Sequence, residues 1–223
     1  MKVNDIQDHF DRIASSYDDY KRRNWYYYRR LKTLLQRFIP PGKRVLEVGC
    51  GTGEVLVCLA PSFGVGIDVS SNMIEIARKK HTGKRMHFIT ADIVSFRAKK
   101  DFDYLCMADV VEHLSDPDKS FAAIRKCMGT KTLLVNVMAN PLWEPILIIT
   151  EKIGLKMPEG EHYRVNFAKI EKILESVGLE VVTHGYDTLC PIYIPLFAEQ
   201  INRYIAPYFA KFNIFEYFVA KVK

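Results

Sequence analysis

The run VLEVGCGTG, Val45 to Gly53, restricts the fold of this chain more than any other stretch. A short apolar segment of strand character leads directly into a turn with three glycines, and helix-forming residues follow. Gly49, Gly51 and Gly53 let the backbone bend sharply and approach a ligand closely. The helix beyond them offers unpaired N–H groups at its start. A mere packing turn explains the three glycines poorly, because glycine weakens the strand that carries it unless something uses the space.

In a dinucleotide-binding turn the pattern is GxGxxG and the loop cradles a diphosphate. Here it is GxGxG, since position 54 is Glu. Glu47, two residues ahead of the first glycine, brings negative charge to the same turn, and Cys50 lies between the first two glycines. A carboxylate at that point suits a ligand with a positive amino group better than a diphosphate. The segment GIDVS places Asp68 at the end of the next strand. An acid there accepts from both ribose hydroxyls of an adenosine, whichever adenosine cofactor it is; capping the following helix is the plainer role. After the third strand, Ala91 and Asp92 precede Ile93, where an acid would accept from an adenine amino group beside an apolar contact.

These motifs sit on a strand/helix alternation. Residues 1–40 are helical in character and rich in aromatics, and Pro40-Pro41-Gly42 ends them. Strands are expected at 44–48, 63–67, 86–90, 104–107 and 131–138. Helices are expected from about 53, at 71–80 and at 117–127. Ser70 or Ser71 would cap the second of these, with Glu75 near the reciprocal position. Regularity lapses after Asn140-Pro141 until about Phe167. A helix at 168–176 closed by Gly178, with Asn166 as a cap at its start, a strand at 179–183 and a final strand at 215–222 follow. The pattern implies an α/β fold with a mainly parallel sheet covered on both faces. At 223 residues, 48% of them apolar, the chain suits one such domain.

At these residues the chain resembles the class I methyltransferases, especially the group similar to the ubiquinone/menaquinone methyltransferases. VLEVGCGTG, GIDVS-SNM, Ala91-Asp92 and FDYLCMADVVEHLSDP carry the resemblance. FDRIASSYDDY near the start and EHYRVNFAKIEKILESVGLEVV at 161–182 extend it to about residues 9–185. It implies a Rossmann-like, doubly wound seven-stranded sheet with the last strand antiparallel, and S-adenosylmethionine as cofactor with S-adenosylhomocysteine as product. Gly49, Cys50, Gly51 and Gly53 would flank the methionine part, with Glu47 near its amino group. Asp68 would hold the ribose, with Val69 and Met73 near the adenine. Ala91, Asp92 and Ile93 would hold the adenine edge. Met107, Ala108 and Asp109 would line the sulfonium end, and Tyr17 would close over the cofactor. His113, His162 and Tyr17 are the candidate bases, although a structural role competes at each. A metal site among Asp109, Glu112, His113 and Asp116 matches no standard ligand spacing, so no metal is expected.

The acceptor is expected to be a small molecule, and what covers the strand ends decides which. Segments 1–40, 141–165 and 186–213 are the candidate cover, flanking a cofactor-binding core at 41–140. Leu196, Phe197, Ile201, Tyr204, Ile205, Tyr208 and Phe209 recur at helical spacing, in a helix expected to bend at Pro207. Two readings stay open: a lid packed on the sheet, or an apolar surface for a lipid- or quinone-type acceptor at a membrane. A non-catalytic module that merely holds the cofactor is the remaining alternative. Net charge of +6, with clusters such as Lys21-Arg22-Arg23, does not by itself call for nucleic acid, and none is expected. Five scattered cysteines, no leader-like start and no apolar run of ~18 residues point to a cytoplasmic protein.

Overall fold

Seven strands form one sheet: β1 (Arg44–Val48), β2 (Phe63–Asp68), β3 (Met86–Thr90), β4 (Tyr104–Ala108), β5 (Leu133–Ala139), β6 (Leu179–Asp187) and β7 (Phe215–Val222). The computed structural model describes residues 3–83, 85–98, 102–158 and 165–223. The strand order is β3-β2-β1-β4-β5-β7-β6, and β7 pairs antiparallel with both of its neighbours. The first five strands pair in parallel. Except at the edge strand β3, where only Phe88 is buried, their residues are mostly buried on both faces, which is why they read as short apolar runs rather than alternating ones.

Among the described residues the helices that accompany them include α1 (Val3–Arg23), α2 (Trp25–Phe38), α3 (Glu54–Cys58), α4 (Ser71–Lys80), α5 (Pro117–Lys126), α6 (Glu144–Lys152) and α7 (Phe167–Ser176). On one face of the sheet Leu46, Leu105 and Leu134 pack against Phe121 of α5 and Leu174 of α7. On the other, Val45, Cys106 and Val135 pack against Leu35, Leu56 and Ile74 of α2, α3 and α4. Alternate residues of a strand thus feed two separate cores.

Several helix starts follow their sequence signals. Ser70 Oγ accepts from Met73 N, Asp116 accepts from Lys119 N, and Asn166 accepts from Lys169 N. Glu75 takes no part in the α4 cap; it pairs with Lys79 one turn on. Gly178, with φ of 78°, closes α7 in the left-handed conformation expected of it.

Two departures concern the cover. The first is α6, in a stretch without helical periodicity: Pro145-Ile146-Leu147-Ile148-Ile149 is apolar all round, and Leu147 alone among these five is buried. The second is the run after Phe197. It is not a continuous helix but three short turns of different hydrogen-bond spacing, Ala198–Gln200, Ile201–Ile205 and Ala206–Phe212. Pro207 lies at the start of the last turn, where a missing N–H costs little, and the backbone breaks at Phe209 instead. Its buried positions are Ala198, Asn202 and Ala206, whereas Leu196 and Tyr208 are 82% and 85% exposed. The bulky stripe therefore faces outward, contrary to packing on the sheet as a lid. Asn202 explains the choice of face: it accepts from Cys190 N and donates to Cys190 O and to Tyr26 Oη. Between two alanines this amide lets the run sit close to α2.

No helix among the described residues is long and apolar enough to cross a membrane. The five cysteines form no disulfide, and Cys50, Cys106 and Cys127 are buried.

Candidate functional site

The strand order reverses between β1 and β4, and a crevice opens at the carboxyl ends of the strands there, as it does in open α/β sheets generally. Gly49 N and Cys50 N both donate to Ile67 O, which ties the glycine turn to β2. Gly49 has φ of 71°, and a Cβ added to it would lie 2.5 Å from Val110 Cγ2, so no other residue fits. The turn and strand ends bound a cavity lined by Gly49, Gly51, Asp68, Val69 and Met73. Ala91, Asp92, Ile93 and Ala108 complete its far wall.

Helix α1 roofs this cavity with Phe10, Tyr17 and Lys21. Two aspartates latch it down. Asp11 accepts from Ser70 Oγ and Asn72 N at 2.5 and 3.0 Å, and Asp18 accepts from Thr52 Oγ1 at 2.7 Å. Lys80 adds an ion pair to Asp18.

Charge is distributed unevenly around the cavity. Asp68 accepts from Gly51 N and Ser70 N through its two oxygens, at 2.8 and 2.9 Å. Burial raises its pKa, and these two backbone bonds oppose the shift. Glu47 lies beneath the turn and is 2% exposed, with Oε2 buried and lacking a hydrogen-bond partner. Burial pushes its pKa up to about 8, although the nearby Lys21 ammonium pulls the other way. Lys21 Nζ sits 4.3 Å from the Tyr17 ring centroid and 4.9 Å from that of Tyr28.

Tyr17 reaches the cavity as expected, but its surroundings do not suit a proton acceptor. Burial, then the carboxylates of Asp68, Asp109, Glu47 and Asp18, raise its pKa well above the phenol range. Its hydroxyl keeps its proton. His113 also lines the cavity, with the Phe10 ring edge-on at 5.2 Å. His162, the third candidate base, lies outside the described residues. Glu47, Cys50, Gly53 and Met107 do not border the cavity, and Glu47 stays buried behind the turn. Cys50 turns toward Gly66, Gly53 stands against Phe88 at the head of α3, and Met107 is wholly buried in the α5/α7 core. Among the described residues no group of three His, Cys, Asp or Glu side chains is placed to hold a metal ion; Asp116 caps α5 instead.

A second, more apolar cavity adjoins the first, and Tyr28, Asp109 and Met157 border both. Tyr20 and Tyr27 form one wall; Trp143, Ile146 and Leu147 form the other. At the junction Asp109 has φ of 55°, an uncommon conformation for a residue with a side chain and one that clusters at functional sites. Tyr27 Oη donates to its carboxylate, 3.1 and 3.0 Å from the two oxygens. Sequence reasoning missed Lys21 and Tyr27. Lys21 reads as one of three adjacent cations, and only its position four residues after Tyr17 puts both on one helix face.

A family described as a methyltransferase domain matches residues 20–184 of the chain. The ubiquinone biosynthesis O-methyltransferase of Xanthomonas axonopodis pv. citri is 26% identical over 167 residues, 68% of this chain and 69% of that protein. Among solved structures, a methyltransferase of Thermotoga maritima described as a possible histamine N-methyltransferase superposes with a TM-score of 0.75 at 15% identity, covering 98% of this chain and 100% of the other. The magnesium protoporphyrin IX methyltransferase of Synechocystis with bound S-adenosylhomocysteine gives 0.65 at 19% identity, covering 99% of each.

Proposed function

The chain belongs to the methyltransferase-domain family, and on that premise we propose that it moves a methyl group from S-adenosylmethionine to a small organic acceptor in the second cavity. One observation carries this reading: the buried Glu47 carboxyl, one oxygen of which has no partner, lies beneath the glycine turn within electrostatic reach of Lys21, whose ammonium lines the cavity. The amino-acid end of S-adenosylmethionine offers an ammonium to the first and a carboxylate to the second. A diphosphate brings no ammonium against which Glu47 could ionise.

Bound there, S-adenosylmethionine supplies a methyl group already activated on a sulfonium. The chain's part is to align the partners and exclude water. Asp68 would hold the ribose hydroxyls while keeping its bonds to Gly51 and Ser70. Val69, Met73, Ala91, Asp92 and Ile93 would hold the adenine. Tyr17 and Lys21, on α1, would cover the methionine end. Ala108 and Asp109 would line the sulfonium end.

Asp109 also faces the acceptor, because it borders both cavities. Held by Tyr27, its carboxylate would accept the N–H or O–H of an acceptor and so orient it. His113, across the first cavity, is the residue that takes the proton where the acceptor is not already anionic. The apolar walls of Trp143, Ile146 and Leu147 favour an acceptor with an apolar body. Similarity to a ubiquinone-biosynthesis enzyme supports an acceptor of that kind.

Calorimetry with S-adenosylmethionine, S-adenosylhomocysteine and NADH tests the cofactor half: the first two bind and the third does not. A methyl-labelled cofactor incubated with cell extract then marks the acceptor. Binding of NADH alone at the turn would overturn the reading. Tight cofactor binding without any labelled product would reduce the protein to a cofactor-holding module.

A further inference from the structure

The mouth of the second cavity opens in the middle of an apolar outer surface. Ile146 and Leu155 on one side and Ile192 on the other border the cavity, and all three are exposed. The surface continues outward from each. Trp143 Nε1 donates to Phe212 O, which brings exposed Leu142 beside exposed Phe212. The ring of Tyr193 meets that of Trp25, 5.0 Å between centroids, at the start of α2. Leu196 and Phe197 extend the same side of the molecule. Scattered exposed apolar residues are ordinary in proteins, but a contiguous surface of bulky ones rimming a cavity marks an interaction site.

Its charge says what covers it. Arg23 and Lys156 border the cavity mouth, and Lys152, Arg203 and Lys211 lie on the segments that carry the apolar side chains. The same segments carry Glu144, Glu151 and Glu199, fewer than these five cations, and Glu199 pairs with Arg29 and Arg30 as Asp19 does with Arg22. Trp25, Tyr193, Tyr204 and Tyr208 add exposed aromatic rings with polar tips. Apolar anchors, amphipathic rings and a cationic rim together fit the headgroup zone of a bilayer with anionic lipids. Two copies of the chain meeting face to face would oppose like charges across the rim.

We propose that this surface docks on an anionic lipid membrane. Resting on the reading of the second cavity as the acceptor site, we further infer that the acceptor is a lipid-dissolved molecule. Its apolar body passes from the bilayer through the mouth between Ile146, Leu155 and Ile192, so that Asp109 meets its polar end. The protein touches the leaflet without crossing it.

Sedimentation with phosphatidylcholine vesicles, with and without about one-third phosphatidylglycerol, tests docking. The expected result is binding to the anionic vesicles that falls with salt, together with a blue shift of tryptophan emission, since Trp25 and Trp143 both border the surface. Leu196→Asp combined with Phe212→Asp is expected to cut partitioning about tenfold or more while leaving calorimetric cofactor binding unchanged. Protein that stays in the supernatant with both vesicle types overturns the proposal. So does light scattering that shows a dimer of the native chain made monomeric by the two substitutions, which would assign the surface to a second copy. If the double variant does not fold, the salt titration and emission shift of the native protein decide alone. Cofactor binding measured without vesicles stands or falls separately from docking.

Discussion

The cofactor side of this molecule and its C-terminal cover are built from opposite uses of the same residue types. Around the glycine turn, charges are buried and polar atoms have assigned positions. Asp68 bridges two backbone amides, Asp11 and Asp18 fasten α1, and Glu47 holds a carboxylate out of water at a cost. In the cover, the arrangement is reversed: an amide and two alanines point inward, and the large apolar side chains point out. The first region is constrained by a ligand that every substrate shares. The second spends its apolar surface outside the fold, so its sequence answers to what it touches rather than to stability.

That contrast makes Asp68→Ala the most damaging single change expected of those considered. It removes the proposed ribose acceptor and deprives Gly51 N and Ser70 N of theirs, and is expected to weaken S-adenosylmethionine binding by ~1–3 kcal/mol in calorimetry. An unaltered affinity would remove Asp68 from the site.

Glu47→Gln is expected to act in two directions. Cofactor affinity drops about tenfold as the charge facing the amino group is lost. Stability without ligand changes the other way. Because burial raises the folded-state pKa of Glu47 from 4.5 to about 8, its favourable contribution is full below the lower value and is lost as pH rises through the higher. The glutamine variant escapes that loss, so its unliganded melting temperature falls less between mildly acidic and alkaline buffer. In the native protein, cofactor binding below about pH 8 should release a proton, visible as a buffer-dependent calorimetric heat. Parallel pH–melting curves for the two proteins would show that Glu47 is not held neutral.

Tyr27→Phe tests the border between the two regions. Loss of one hydrogen bond to Asp109, roughly 0.5–1.5 kcal/mol, should slow turnover several-fold and leave cofactor affinity intact. A matching loss of cofactor affinity would place Asp109 wholly on the cofactor side. Smallest of all is Tyr208→Ala in the cover. Its thermal stability should stay within about 0.5 kcal/mol of native, because the side chain contributes almost nothing to the core. A large drop would mean that the outward stripe is structural after all.

What the sequence disclosed follows the same divide. The sheet was legible because parallel strands buried on both faces appear as short apolar runs between turn residues, and α4 falls at 71–80 as its cap and periodicity require. Asp68, Gly49 and Gly51 were legible because their positions are fixed by backbone geometry. Cys50 and Met107 were not distinguishable from them, since neighbours in a motif alternate between cavity lining and core. Helix α6 was hidden because an apolar run without polar interruption has no period to detect. The stripe from Leu196 to Phe209 showed that the segment has two faces. It could not show which one looks inward, because that depends on Asn202 finding Cys190 and Tyr26. Tyr27 gave no signal because its partner, Asp109, is distant in sequence.

Helix α1 carries a consequence for the pace of the reaction. On the proposed reading, the residues that would enclose the cofactor, Phe10, Tyr17 and Lys21, belong to a helix and not to a loop, so release of a spent molecule would call for the whole helix to tilt away. Asp11 and Asp18, which fasten that helix, would then have to let go of Ser70, Asn72 and Thr52 once per cycle. A door that closes well also opens slowly, and here the emptying of the chamber, more than the bond exchange inside it, would govern how often the protein works.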